Sequence, residues 1–165
     1  MLKKTLTSIM IIGFMCNVSF SADEFALMHE ERIGSLRIGL SEGNVKKAIH
    51  CTLKRGPENF EGADGEYHQE WVYDGCGITL DMSSNKKGGS KSINAITLVS
   101  PSILSTKRGI RIGSGEQDVI KAYKPYWSKD DSGPSNFVAG SVYGGLMFNF
   151  ENGKVSRILL GAAAE

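Results

Sequence analysis

The sequence predicts an α+β fold, built as two tandem copies of a small unit in which one short helix packs on an antiparallel sheet. Three observations carry this. First, Leu36-Arg37-Ile38-Gly39-Leu40-Ser41-Glu42-Gly43-Asn44-Val45-Lys46-Lys47-Ala48 recurs 74 positions later as Ile110-Arg111-Ile112-Gly113-Ser114-Gly115-Glu116-Gln117-Asp118-Val119-Ile120-Lys121-Ala122, with seven of the thirteen pairs identical. Recurrence at a fixed period marks a repeated structural unit. Second, each copy carries an apolar stripe at helical spacing: Val45, Ala48 and Ile49 in one, Val119, Ala122 and Tyr123 in the other. Third, each stripe is followed by segments whose apolar residues alternate with polar ones, the period of a half-buried strand. A helix of about ten residues is marginal alone, so its stripe must pack on the sheet.

Residues 1–21 precede this organisation and read as a secretory signal peptide. Lys3 and Lys4 form a positive start, Leu6 to Met15 a short apolar run, and Ser19 and Ser21 the small residues of a cleavage site. Cleavage is expected after Ser21, with Ala22 as the alternative. Met15 stands where a lipoprotein signal needs a small residue, so Cys16 is read as part of the signal. The expected mature chain has 144 residues. Losing Lys3 and Lys4 leaves 17 basic residues against 18 acidic, a charge near −1. That balance gives no electrostatic case for nucleic acid or an anionic membrane. No second apolar run approaches the ~20 residues of a membrane span. The protein is expected in the periplasm or outside the cell.

The first repeat is assigned to residues 22–100. Ser41 is placed as the N-cap of its helix. Glu70 to Tyr73, a tight Asp74-Gly75 turn, and Cys76 to Met82 read as a hairpin, since Asp-Gly suits a two-residue turn. Ile93 to Val99 supplies a third strand. Once Cys16 is gone only Cys51 and Cys76 remain, and two cysteines in a small exported domain most often form one disulfide. Closing a loop of about 25 residues is worth roughly 3–4 kcal/mol. Asn85 to Ser92 is a polar, Gly-rich loop; it lacks the Gly-Lys-Ser/Thr step and following helix of a phosphate loop.

Residues 101–109 form a linker of mixed polarity. The second repeat, residues 110–165, places its helix before Pro125, which stops it. Strands follow at Phe137 to Ser141, Tyr143 to Phe150 and, after an Asn152-Gly153 turn, Lys154 to Leu160. Leu146, Phe148 and Phe150 are assigned to the core side, with Met147 and Asn149 facing away.

These landmarks resemble a known superfamily. Ile38-Gly39 through Val45, Trp71 and Tyr73, and Ile93 with Ile96 match its pattern in the first copy. Ile112-Gly113 through Val119, Tyr143, and Gly153-Lys154-Val155 with Ile158 match it in the second. The pattern is similar to the tandem domains of β-lactamase inhibitor protein and to the small lipoprotein of the outer-membrane β-barrel assembly machinery. The resemblance implies a binder: an inhibitor, an assembly factor or an envelope protein. The second copy has no cysteine, a departure from the disulfide seen in kind in the family.

No catalytic set emerges. The histidines are His29, His50 and His68; no nucleophile elbow, His-Glu-x-x-His or paired-acid motif is present. His68 and Glu70 could share a strand face as half a metal site, but a solvated strand edge is the simpler reading. No metal, cofactor or catalytic residue is therefore assigned. The leading expectation is a non-enzymatic protein-binding module, an inhibitor or immunity protein whose partner is a secreted enzyme or toxin. A cell-envelope structural or assembly factor is the alternative, and a small hydrolase or metal enzyme the third. Helices cover one face of each sheet, so the partner is expected on the other, at Thr79, Asp81, Met147, Asn149 and Arg157. Asp74, Tyr126, Trp127 and Tyr143 are expected at the rim. For Tyr126 and Trp127 the competing reading is that they close the core of the second copy.

Overall fold

The strands predicted for the two copies join, with two further edge strands, into one sheet. The computed structural model describes residues 25–163; the expected signal peptide and its cleavage site lie outside the described residues. In chain order the elements are α1 (Ala26–Glu30), α2 (Glu42–Ala48), β1 (Lys54–Glu61), β2 (Glu66–Tyr73), β3 (Ile78–Ser84), β4 (Ser92–Val99), α3 (Glu116–Tyr123), β5 (Trp127–Gly133), β6 (Asn136–Ser141), β7 (Gly144–Glu151) and β8 (Lys154–Gly161). Strands β1 to β4 form one antiparallel meander and β5 to β8 another. They meet where β4 pairs with β8, from Ile96↔Leu160 to Val99↔Arg157, giving the order β1-β2-β3-β4-β8-β7-β6-β5.

This corrects the expected fold class. Among the described residues the chain is not two α+β units but mostly an eight-stranded antiparallel sheet with three short helices of five, seven and eight residues. The physical reason is edge satisfaction. Two separate four-stranded sheets would leave β4 and β8 with unpaired N–H and C=O groups, and pairing them removes both edges at once. Helices this short also cover too little area to close two separate cores.

The repeated segments nonetheless adopt matching local geometry. Gly39 and Gly113 both take left-handed backbone, φ +75° and +85°, which glycine adopts without a Cβ penalty. The Gly39 N–H donates to the Ile93 carbonyl and the Gly113 N–H to the Val155 carbonyl, both at 2.8 Å. Each thereby ties the turn before a helix to a sheet strand. Ser41 is the N-cap residue of α2, as expected, but its hydroxyl accepts from the Asn44 side chain at 3.1 Å and makes no capping bond. In α3 the capping acceptor is the Asp118 carboxylate, 3.2 Å from the Gly115 N–H.

One main core lies between the helices and one face of the sheet. Leu27, Val45, Val119 and Tyr123 from the helices meet Trp71, Tyr73, Leu80, Ile96, Leu98, Leu146, Phe148, Ile158 and Leu160 from the strands. A buried carboxylate stitches the segment before α2 to the linker. Glu31 accepts from the backbone N–H of Arg32 and Lys107 and from the Tyr123 hydroxyl, at 3.0, 2.8 and 2.9 Å. Arg108 lies 3.6 Å from it. The disulfide Cys51–Cys76 is present and joins the segment after α2 to the β2–β3 connection. That connection is a one-turn 3₁₀ segment, Asp74–Cys76, followed by left-handed Gly77, rather than a two-residue turn. A Cβ on Gly77 would collide with the Val99 carbonyl, so only glycine lets the connection lie this close to the end of β4. No described helix is long and apolar enough to cross a membrane.

Candidate functional site

The side chains of the sheet separate into two faces by the period-two rule. All three helices contribute to the main core on one face. No helix contributes to the small second cluster on the other face, formed by Val138, Met147 and Leu159 with Ala95 and Val142. This open face is the candidate site.

The expected contact residues divide accordingly. Thr79, Asp81, Asn149 and Arg157 lie on the open face, and the strand register links them. Thr79 opposes Thr97 on β4, the Arg157 guanidinium donates to the Thr97 hydroxyl at 3.4 Å, and Arg157 opposes Asn149 on β7. Met147 also points to this face, but it is only 7% exposed and fills the second cluster. Asp74 sits in the β2–β3 connection, paired with Lys54. Tyr143 is exposed in the β6–β7 turn, at the opposite end of the sheet by the antiparallel order. Tyr126 and Trp127 belong to the helix side. Tyr126 packs against the main core and accepts a hydrogen bond from Arg108 at 3.1 Å. Trp127 stacks on the core residue Phe137, ring centroids 5.3 Å apart, and its indole N–H donates to the Ser132 hydroxyl at 3.0 Å.

The densest chemistry on the open face surrounds His68, for which the sequence alone offers only Glu70 as a companion on the same strand face. On β2, Glu66, His68 and Glu70 share this face. His68 is nine-tenths buried, with Nδ1 2.8 Å from the Asp81 carboxylate and Nε2 2.8 Å from that of Asp64. Asp64 comes from the β1–β2 turn, where its other oxygen accepts the Glu66 backbone N–H at 2.9 Å. Asp81 comes from β3 and takes a second bond, from the Asn94 side chain at 2.8 Å. The Glu-Gly-Ala-Asp-Gly-Glu turn sequence was the available signal for Asp64, since an aspartate two residues before a strand start suits an Asx turn.

Burial pushes the His68 imidazole toward its neutral form. The hydrogen bonds to Asp81 and Asp64, with the charges of Asp81 and Glu61, outweigh that and hold its pKa above the ordinary histidine value. The Glu66 backbone N–H holds Asp64 below the ordinary carboxylate value, against burial and with help from His68. The site thus favours an imidazolium between two carboxylates. Asp64, Glu66 and His68 could each offer one ligand atom to a metal, within 4.8 Å of one another. In this structure the His68 nitrogens are both engaged by aspartates. Beside the cluster lies a cleft of about 390 Å³ lined by Asn59, Glu61, His68, Glu70, Thr79, Asp81, Ala95 and Thr97, among others.

No protein-family model matches the chain, and no curated protein and no solved structure matches it.

Proposed function

We propose that the protein is an exported, non-enzymatic module that binds another protein across the open face of its sheet, as an inhibitor or immunity protein against a secreted enzyme or toxin. The observation that carries this reading is the asymmetry of the sheet: eight strands present one broad surface on which no described helix packs. A sheet this wide can supply the roughly 800 Å² per partner of a standard interface. The row from Asp81 through Thr79, Thr97 and Arg157 to Asn149 gives that surface polar groups at fixed spacing. The disulfide fits an oxidising compartment and so an exported protein. The superfamily resemblance, on Ile38-Gly39 through Val45 and Ile112-Gly113 through Val119, points to the same class.

The test is capture. The mature chain, immobilised through its C-terminus, is expected to retain one specific protein from envelope or secreted fractions. Arg157→Glu together with Asp81→Arg should abolish that retention while leaving the protein folded. Failure to retain any specific protein, or retention unchanged by the double variant, overturns the reading. Retention of an outer-membrane assembly component, with an envelope defect on deletion, would replace inhibition with the assembly role.

A further inference from the structure

We infer that His68 is a proton-operated latch on the β1–β2 turn. With a proton on each ring nitrogen it joins Asp64 of the turn to Asp81 of the sheet; on losing one proton it lets Asp64 go, which loosens the rim of the open face and weakens its hold on a partner. The effect on the partner rests on the protein-binding reading above; the latch itself does not.

The geometry carries the argument. His68 is nine-tenths buried, and a carboxylate oxygen stands 2.8 Å from each of its ring nitrogens. Only the doubly protonated ring can donate to both. A neutral imidazole has one N–H and one lone pair, so after deprotonation one nitrogen turns a lone pair toward an anion. One of the two contacts must then open. The charged groups facing the ring are Asp64 from the turn, Asp81 from β3 and Glu61 from β1, with Glu66 and Glu70 on the same face of its own strand. Burial opposes the ring's charge, and the bonds to Asp81 and Asp64 outweigh it, so the latch is closed in acid and opens as pH rises through a folded pKa above 6.5.

The contact that opens is the one to Asp64. Asp81 sits inside the sheet, opposite Glu70 on one side and Ala95 on the other, and the Asn94 side chain donates to the same carboxylate oxygen at 2.8 Å. It keeps a donor whatever the ring does. Asp64 lies in the exposed turn Gly62-Ala63-Asp64-Gly65, and its side chain is 45% exposed against 32% for Asp81. Water can replace the imidazole there. Its other bond, from the Glu66 N–H, and that from the Gly65 N–H to the Glu61 carbonyl are internal to the turn region and do not fasten it to β3. Two glycines, one of them at φ +76°, leave a released turn many conformations.

The turn borders the cleft that Asn59, Glu61, His68, Asp81 and Thr97 share on the open face. A latched turn gives a partner a fixed rim, whereas a loose one must be ordered at the moment of binding, at a cost in affinity.

The experiment follows the complete mature chain by nitrogen-15 NMR from about pH 5.5 to 8.5. Ring-nitrogen shifts report the protonation of His68, and relaxation order parameters report the turn. Backbone amides of Ala63, Asp64 and Gly65 should hold order parameters near about 0.85 in acid and drop below about 0.6 with the same midpoint as the ring. Those of Leu80 and Asp81 should stay high throughout. In Asp64→Ala the turn should be loose at every pH and the ring should titrate at lower pH than in wild type. In His68→Gln the step should vanish. Retention in the capture assay above should fall severalfold between the acid and alkaline ends in wild type and stay level in His68→Gln. A turn that stays ordered while the ring titrates, a step that persists in His68→Gln, or loss of order at Asp81 in place of Asp64 overturns the latch. Retention that does not change across the step overturns its link to binding. A chain that retains nothing at any pH loses the protein-binding reading, and the order parameters still decide the latch.

Discussion

Two tyrosines in the core separate the worth of a hydroxyl from the worth of a ring. Tyr73 and Tyr123 are both fully buried, yet the Tyr73 hydroxyl has no hydrogen-bond partner among the described residues, whereas the Tyr123 hydroxyl donates to Glu31 at 2.9 Å. An unpaired buried hydroxyl carries its desolvation cost without return. Tyr73→Phe is therefore expected to leave stability unchanged or raise it, and Tyr123→Phe to lower it by about 1–3 kcal/mol, because a buried carboxylate loses a donor. Urea unfolding of the two variants measures both, and equal losses would contradict the assignment. His68 gives the residue-scale pH dependence. Its folded pKa lies above the ordinary value of 6.5, so its stabilising contribution is complete below about 6.5 and is lost as pH rises through the folded value. Asp64 behaves oppositely: its folded pKa lies below 3.8, and its contribution is lost only as pH falls through that lowered value. Unfolding free energies of wild type and His68→Gln, measured from about pH 5.5 to 8.5, should converge toward the alkaline end. A constant difference would show that the imidazole is not charged in the folded state.

The elements show which features sequence patterning reveals. β3, β4, β7 and β8 were legible because their apolar residues alternate, as in Ile78, Leu80, Met82 and in Leu146, Phe148, Phe150. β1 and β5 were not. Lys54-Arg55-Gly56-Pro57-Glu58-Asn59 and Ser128-Lys129-Asp130-Asp131-Ser132 carry almost no apolar alternation, because both strands are edges with much of their surface in water. Each also breaks register, between Arg55 and Glu58 and between Ser128 and Gly133. Proline and charge on an edge discourage pairing with another chain. The candidate site was half legible for a related reason: facing follows from period two, so Thr79 and Asp81 could be placed, but the partners of His68 come from a neighbouring strand and a turn, which depends on register. Trp127 belongs to this scale, since it fastens β5 to β6 by stacking on Phe137. Trp127→Ala should cost about 1–3 kcal/mol of stability and leave partner affinity of the folded protein unchanged. A loss of affinity at full stability would return Trp127 to the interface.

For the whole molecule, the β4–β8 seam decides how stability is shared. Four residue pairs from Ile96↔Leu160 to Val99↔Arg157 carry the sheet across the middle, and the core runs beneath both meanders without a break. The buried Glu31 network adds a second tie, from the segment before α2 to the linker and α3. Reducing Cys51–Cys76 should lower stability by about 2–4 kcal/mol, as for a loop of this length. With the sheet continuous, the loss should appear in both meanders together. Hydrogen exchange after reduction is expected to show protection falling in β6 and β7 as much as in β2 and β3. Loss confined to β1–β4 would mean that the two halves unfold separately.

The seam also sets an order of events during synthesis. β8 is the last of the described strands to be made, yet it occupies the centre of the sheet, between β4 and β7. Until residues 154–161 emerge, two interior strands stand with their hydrogen-bonding groups exposed and the apolar side of the first meander only partly covered. A chain halted before Lys154 therefore has no smaller stable form to settle into, and proteases and aggregation compete for it. The ribosome, or a translocation pore that threads the chain in the same direction, delivers the keystone last.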